Sequence, residues 1–468
     1  MLSRLMPSPQ TDPELGPLRP GLVFSFFNAM TWQIAIGTPL VLFAEQLGAG
    51  ADQVGLAYSM VFLLTPVQIL STALLPRFGY KRLMLGGWGI RTLLLVVPIS
   101  LAVLAPQIGV RSWMASTLVG AIFFFCLFRA IGLAALMPWF YAIIPPSARG
   151  RYFSSDSILS GVSSVLTLLV CAGLFAVLPV YTALGLQYGI ALGGSIWSFY
   201  VLRRLPDGPA PEPISLRVVL RALPRIVTRR SEFRRYLFLS LLCFAATSPI
   251  SPFLAYYLKT AQHLAPGWIM GLEVVRYGGV IVAALVIRRR IDAVGARPFM
   301  LLSLGLYLGL SLFWLVFVRS GLGGLPGLVA AYLILGVAGT TWAVGNLTYL
   351  PKLIPVEQRT LMISVYGAFT ALVAGLATIG WGWVLRPGGA VVGIDPWRFQ
   401  VFFAITMGCA AFISFQLARR PEPDAEPATP LMVVNAFLRP TRAVSYLINL
   451  VEPPPPSVRS KANQPKAE

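Results

Sequence analysis

IIPPSAR, residues Ile143 to Arg149, and LIPVEQR, residues Leu353 to Arg359, carry one phrase twice: Ile-Pro-x-x-x-Arg, set 210 residues apart in a chain of 468. A phrase repeated at matching depths of two halves suggests a duplicated chain, so the nature of each half decides the fold. Hydrophobic residues make up 56% of the sequence and charged residues 12%, where a soluble domain carries about 25% charged residues. The apolar residues fall in blocks of about 20, enough to cross a hydrocarbon core about 30 Å thick. Only helices and closed barrels can span a bilayer, and continuous apolar runs lack the alternation of barrel strands. The expected fold is an all-α polytopic membrane protein.

Twelve spans are expected, at 22–44, 54–75, 83–104, 113–143, 156–178, 181–202, 236–258, 267–287, 298–318, 327–350, 361–385 and 399–418. The first is too long for a signal-peptide core and no small-residue cleavage site follows it. The organisation read from these blocks is an N-terminal segment (1–20), a six-helix bundle (21–202), a basic linker (203–235), a second six-helix bundle (236–418) and a tail (419–468). In the linker, RRLPDGPAPEP is Pro-rich. Arg217, Arg221 and Arg225 then recur at helical spacing among apolar residues, the pattern of a basic helix lying on a membrane surface.

The net charge of +20 is a matter of placement. With the N-terminus cytoplasmic, inside segments hold 29 of the 37 Lys and Arg, outside loops five and spans three. That asymmetry is the positive-inside rule. It argues against a nucleic-acid partner and for contact with anionic lipid headgroups. The expected location is a bacterial inner membrane, with both termini cytoplasmic and the chain working as a monomer. Cys126, Cys171, Cys243 and Cys409 all fall inside spans, no CxxC occurs, and the single histidine, His263, sits in a loop. No metal site or cofactor is expected. An intramembrane enzyme would need clustered His, Asp or Cys, or a nucleophile beside a base, and none is present.

The repeated phrase follows spans 4 and 10. A second pair of turns follows spans 2 and 8: RFGYKR (Arg77 to Arg82) and IDAVGAR (Ile291 to Arg297), in which Gly79 and Gly295 align at an offset of 216. On these turns the chain resembles the major facilitator superfamily, whose pattern after span 2 is Gly-x-x-x-Asp-Arg-x-Gly-Arg-Arg/Lys. TALLPRFGYK matches it at Arg77, Gly79 and Lys81, with Thr72 and Pro76 departing from it. The second copy keeps Asp292, Gly295 and Arg297. The resemblance implies two pseudo-symmetric six-helix bundles facing each other across a central cavity, with a small solute bound near the midplane and exposed to each side in turn. It makes Arg77, Gly79, Lys81, Asp292, Gly295 and Arg297 candidate gate residues, with Arg149 and Arg359 of the repeated phrase. Asp292 is the candidate latch at the start of span 5, because Pro76 removes the acid from the first copy.

Charges inside spans are costly, each about 2.5–3.5 kcal/mol at the centre, and are functional candidates for that reason. They are Arg91 in span 3, Arg129 in span 4, and Glu273 with Arg276 in span 8. Three arginines against one glutamate favour an anionic solute, since an arginine forks onto carboxylate or phosphate. Glu273 is the candidate proton-coupling residue. The competing reading pairs Glu273 with Arg276 and sets Arg91 and Arg129 on backbone carbonyls. Asp156 reads as a helix-start acid. In the family spans 1, 4, 7 and 10 line the cavity, so the resemblance adds Asn28, Gln33, Trp342 and Asn346 as lining candidates. Interhelical hydrogen bonding is their alternative. The functional reading is a secondary transporter; the rival is a receptor or scaffold on the same fold.

The topology has a direct check. In intact cells an impermeant thiol reagent is expected to label Thr260→Cys and spare Ser215→Cys; the reverse pattern refutes the orientation.

Overall fold

A computed structural model describes residues 15–145, 149–208, 231–288, 295–321, 323–354, 359–386 and 396–420. Asp292, the basic stretch at Arg217 to Arg225 and the tail beyond Arg420 lie outside the described residues. The repeated phrase has the same structural role in both places. Ile144 and Ile354 are extended, at φ −92°, ψ 119° and φ −122°, ψ 128°. A following proline imposes this, because its Cδ clashes with a preceding residue in the α region. Arg149 and Arg359 are then the first residues of the next helices, Arg149–Val177 and Arg359–Val384. The phrase is a helix stop followed by a helix start.

All regular structure among the described residues is helical. Span 1 is made of Arg19–Ala35 and Thr38–Gln46. Span 2 begins with Ala51–Leu63 and runs on in short pieces to Phe78. Span 3 is Tyr80–Leu94 with Val96–Ile108, span 4 Ser112–Ile143, span 5 Arg149–Val177 and span 6 Val180–Arg203. Span 7 is Glu232–Thr247 with Ile250–Thr260, span 8 Pro266–Arg288, span 9 Arg297–Ser320, span 10 Gly324–Tyr349, span 11 Arg359–Val384 and span 12 Pro396–Ala418. Eleven of these are long and apolar enough to cross a membrane. Span 6 is the exception by composition, because Gln187, Ser195 and Ser198 dilute it. All three are fully buried, and Ser195 shares a 2.6 Å hydrogen bond with Thr92 of span 3. Its polar side is spent on the bundle interior.

The packing repeats with an offset of six spans. Span 1 packs on 5 and 6, span 3 on 4 and 6, and span 2 on 4. Correspondingly span 7 packs on 11 and 12, span 9 on 10 and 12, and span 8 on 10. Between the bundles span 2 lies along span 11, and span 5 along span 8. A two-fold that swaps the halves exchanges these two contacts. Gly79 and Gly295 share a positive φ, 74° and 87°, a region that glycine enters without a Cβ penalty.

Spans 1 and 7 are each broken midway. Pro39 stands near the start of the second piece of span 1, where it has no N–H to give and its ring would meet the carbonyl four residues back. At the break Gly37 passes so near its own helix that a Cβ there would lie 2.1 Å from the Gln33 carbonyl oxygen. Span 7 breaks in the same way before Pro249, and its Ser248 Oγ donates to the Ala374 carbonyl of span 11 at 3.1 Å.

The second pieces of spans 1 and 7 pack on each other, on the face away from the Gly79 and Gly295 turns. Spans 2 and 11 close the same face. A Cβ on Gly55 would sit 2.8 Å from the Thr378 carbonyl oxygen, and one on Gly382 2.9 Å from that of Ala51. Asp52 and Arg386 form an ion pair across the bundles at 3.8 Å. Backbone faces backbone here, so no flexible side chain can yield. Gly382→Leu is therefore expected to open this face. Overpacking costs about 1–3 kcal/mol, a shift of roughly 5- to 150-fold in a two-state balance. Spin labels at Arg111→Cys and Gln262→Cys are expected to move apart. An unchanged distance in a folded variant contradicts the seal.

Candidate functional site

The first piece of span 1 runs beside spans 5 and 6 and offers one face to the interior. On that face Asn28 and Trp32 lie one turn apart. Asn28 Oδ1 accepts from Arg91 Nη2 at 2.8 Å. The Arg91 guanidinium also lies over the Trp88 ring at 3.8 Å and near Phe125 at 5.1 Å. Arg91 is 1% exposed and its Nε has no hydrogen-bond partner. It is a cation enclosed by span 1, its own span and span 4, met by one amide and two rings. Among the described residues no backbone carbonyl, the partner the competing sequence reading offered, bonds to it.

Arg129 is different. It is half-buried at mid-height of span 4, its guanidinium 4.1 Å from the centre of the Trp32 ring. Among the described residues no carboxylate lies within ion-pair distance of Arg129 or Arg91, and each feels the other's positive charge. In span 8, by contrast, Arg276 Nε donates to Glu273 Oε2 at 2.6 Å. The i, i+3 pairing read from the sequence is present, and Glu273 is 2% exposed. Glu273 Oε1 is buried without a hydrogen bond. Arg276 also lies over Tyr277 at 4.7 Å. Among the described residues the intramembrane charges of span 8 thus neutralise each other, and those of spans 3 and 4 do not.

A cavity of about 240 Å³ lies between these two arrangements, beneath the breaks in spans 1 and 7. Trp32, Gln33, Gly37 and Thr38 wall one side, Tyr58 and Phe62 of span 2 another, and Ser251, Glu273, Arg276 and Tyr277 the far side. Gln33 Nε2 donates to Tyr277 Oη in a hydrogen bond that joins the two bundles. The sequence reading found Gln33, Glu273 and Arg276 and missed Trp32, Tyr58 and Tyr277. Trp32 stands four residues after Asn28, so helical spacing alone could have placed it on the same face. Tyr58 carries no such signal, because an aromatic in an apolar run looks like core.

The other candidates lie elsewhere. Trp342 is buried with its Nε1 unpaired and does not wall this cavity. Asn346 Oδ1 accepts from Tyr236 Oη at 2.5 Å and Tyr366 Oη at 2.7 Å, tying span 10 to spans 7 and 11. For Asn346 the interhelical alternative holds. Asp156 is the eighth residue of its helix and not a starting residue; it accepts from Ser25 Oγ of span 1.

Of the gate candidates, Lys81 pairs with Asp207 at 3.2 Å and Arg77 lies over Phe78 at 5.5 Å. Arg297 Nε donates to the Leu417 carbonyl at 3.2 Å, with Nη2 on Ala418. It caps the last carbonyls of span 12, where a cation is favoured. The buried Asn346 arrangement yields a stability prediction. Asn346→Leu is expected to cost about 1–3 kcal/mol by orphaning two hydroxyls, and adding Tyr236→Phe with Tyr366→Phe to recover most of it. Thermal unfolding of the two variants measures this, and a single variant as stable as wild type contradicts it.

The comparisons with known proteins agree with this architecture. The family model described as Major Facilitator Superfamily matches residues 236–452. No curated protein matches the chain in sequence. Among solved structures, a bacterial homologue of the iron transporter ferroportin, in an inward-facing state, superposes with a TM-score of 0.66 at 15% identity, covering 87% of this chain and 99% of that one. The nucleoside transporter NupG gives 0.65 at 15% identity, over 85% and 98%. The xylose transporter XylE from E. coli, in an inward-open conformation, gives 0.59 at 14%, over 87% and 95%. The chain thus shares the fold of these transporters along most of its length and matches the Major Facilitator Superfamily in sequence across residues 236–452.

Proposed function

We propose that the chain is a secondary transporter that carries a small organic anion by alternating access. The observation that carries this reading is Arg129. It is a permanent cation at mid-membrane depth, stacked on Trp32, which walls the cavity between the bundles, and no acid of the described chain meets it. An arginine needed only for structure would be paired or capped, as Arg276 and Arg297 are. A cargo anion supplies the missing charge.

The sealed face lies opposite the basic turns. On the positive-inside orientation it is the outer face, and the described conformation is the one open to the cytoplasm. Two similar structures, the ferroportin homologue and the xylose transporter, are also in inward-facing and inward-open states. The bacterial inner membrane and cytoplasmic termini fit the same orientation. Glu273 is the proposed proton-coupling group. Its pairing with Arg276, one residue from the Gln33–Tyr277 bridge, supports the role: protonation would loosen Arg276 beside the contact that holds the bundles together.

Reconstituted protein tests both roles. Arg129→Gln is expected to abolish uptake of anions into proteoliposomes, and Arg129→Lys to weaken it by loss of the bidentate fork. Glu273→Gln is expected to stop proton-driven accumulation and spare counterflow, because the empty carrier's return is the step that needs the proton. Normal uptake by a stable Arg129→Gln protein contradicts the cargo role. Concentrative uptake by Glu273→Gln contradicts coupling. No flux by wild type for any anion would favour a receptor or scaffold.

A further inference from the structure

Trp32 adds something that charge alone does not give. A guanidinium with no anion nearby settles on the next best partner, the negative face of a ring, and Arg129 sits 4.1 Å from the centre of Trp32. That contact covers one face of a ring that walls the cavity, while Arg129 itself is not among the lining residues. Drawing Arg129 toward a carboxylate would uncover this face at the moment the carboxylate's own body needs a surface. We infer that the cargo is a planar aromatic acid with a single ring, whose carboxylate takes the Arg129 guanidinium and whose ring takes the Trp32 face that Arg129 vacates. The inference rests on the anion reading above.

The rest of the cavity fits that shape. Tyr58 and Phe62 stand 6.1 Å apart on span 2, and Tyr277 faces them from span 8. Flat rings therefore line the cavity from both bundles, and a ring among rings gains from offset or edge contacts beyond its buried area. The volume of about 240 Å³ falls below the roughly 300–1,000 Å³ of sites for drug-sized ligands, which limits the cargo to about one ring. The cavity's polar groups are largely engaged with one another: Gln33 bonds Tyr277 and Glu273 holds Arg276, with Thr38, Ser251 and the Tyr58 hydroxyl beside them. A polyanion would need more than one free cation, and Arg276 is held by Glu273 while Arg91 is enclosed with Asn28.

The test uses the full-length protein in nanodiscs and two acids of similar size, benzoate and cyclohexanecarboxylate, with succinate as a non-aromatic control. Equilibrium binding is followed by competition with radiolabelled benzoate and by thermal stabilisation, which rises with ligand concentration over Kd. Benzoate is expected to bind wild type about three- to tenfold more tightly than cyclohexanecarboxylate, the range that ring contacts supply. Trp32→Leu is expected to level the two acids, Trp32→Phe to keep part of the preference, and Arg129→Gln to lose both. The Phe variant keeps a ring in place, so it separates loss of the stacking face from loss of folding. Equal binding of the two acids by wild type, a preference unchanged in Trp32→Leu, or binding of succinate in place of benzoate overturns the aromatic class and leaves the anion reading standing. If no acid binds and Arg129→Gln behaves as wild type, both fall.

Discussion

A guanidinium in a hydrocarbon slab must be met by something, and most of this molecule's interior follows from how each one is met. Arg276 is met by Glu273, three residues away on its own helix. Arg297 is met by the last carbonyls of span 12. Arg91 is met by Asn28 and two rings. Among the described residues Arg129 is met by the face of Trp32 alone. The series runs from full neutralisation to contact with a ring, and that ring, Trp32, walls the central cavity. The cost of an unpaired buried charge makes such a site either a defect or a place held for a ligand.

The duplication gives the second constraint. Because the halves pack alike, the contacts between them come in pairs: spans 2 and 11, spans 5 and 8, and the broken spans 1 and 7 on the axis. Breaks on the axis have a chemical consequence. Irregular backbone is tolerated at membrane depth only where it is enclosed by protein or lines a cavity, and the break at Gly37–Thr38 and the first turn after the break of span 7, Ser251 and Pro252, border the same space. The cavity is where the duplicated helices stop being regular.

The seal on one face and the cavity beneath it are mechanically joined. Gly55 and Gly382 let spans 2 and 11 meet backbone to backbone, and the Gln33–Tyr277 bond crosses the same boundary one layer deeper. Tyr277 follows Arg276, and Gln33 follows Trp32. A change of partner at either arginine therefore acts on residues adjacent to the bridge. This is the kind of arrangement in which occupancy of a site and the closure of a face share one set of contacts.

The sequence by itself determined the class, the twelve spans and the duplication, because hydrocarbon thickness, prolines before helix starts and positive-φ glycines act locally. It also identified the four intramembrane charges, since their cost does not depend on neighbours. It could not sort them. Arg91 and Arg129 look alike in an apolar run, and so do Asn28 and Asn346. Asn28 and Asn346 proved to be bound up in holding helices together, one on Arg91 and the other on two tyrosines, while Trp32 and Tyr58, which the sequence did not single out, wall the cavity. Only the tertiary structure decided these assignments, because whether a buried polar group is satisfied depends on partners brought from other helices, and helical periodicity fixes a residue's face without fixing what that face meets.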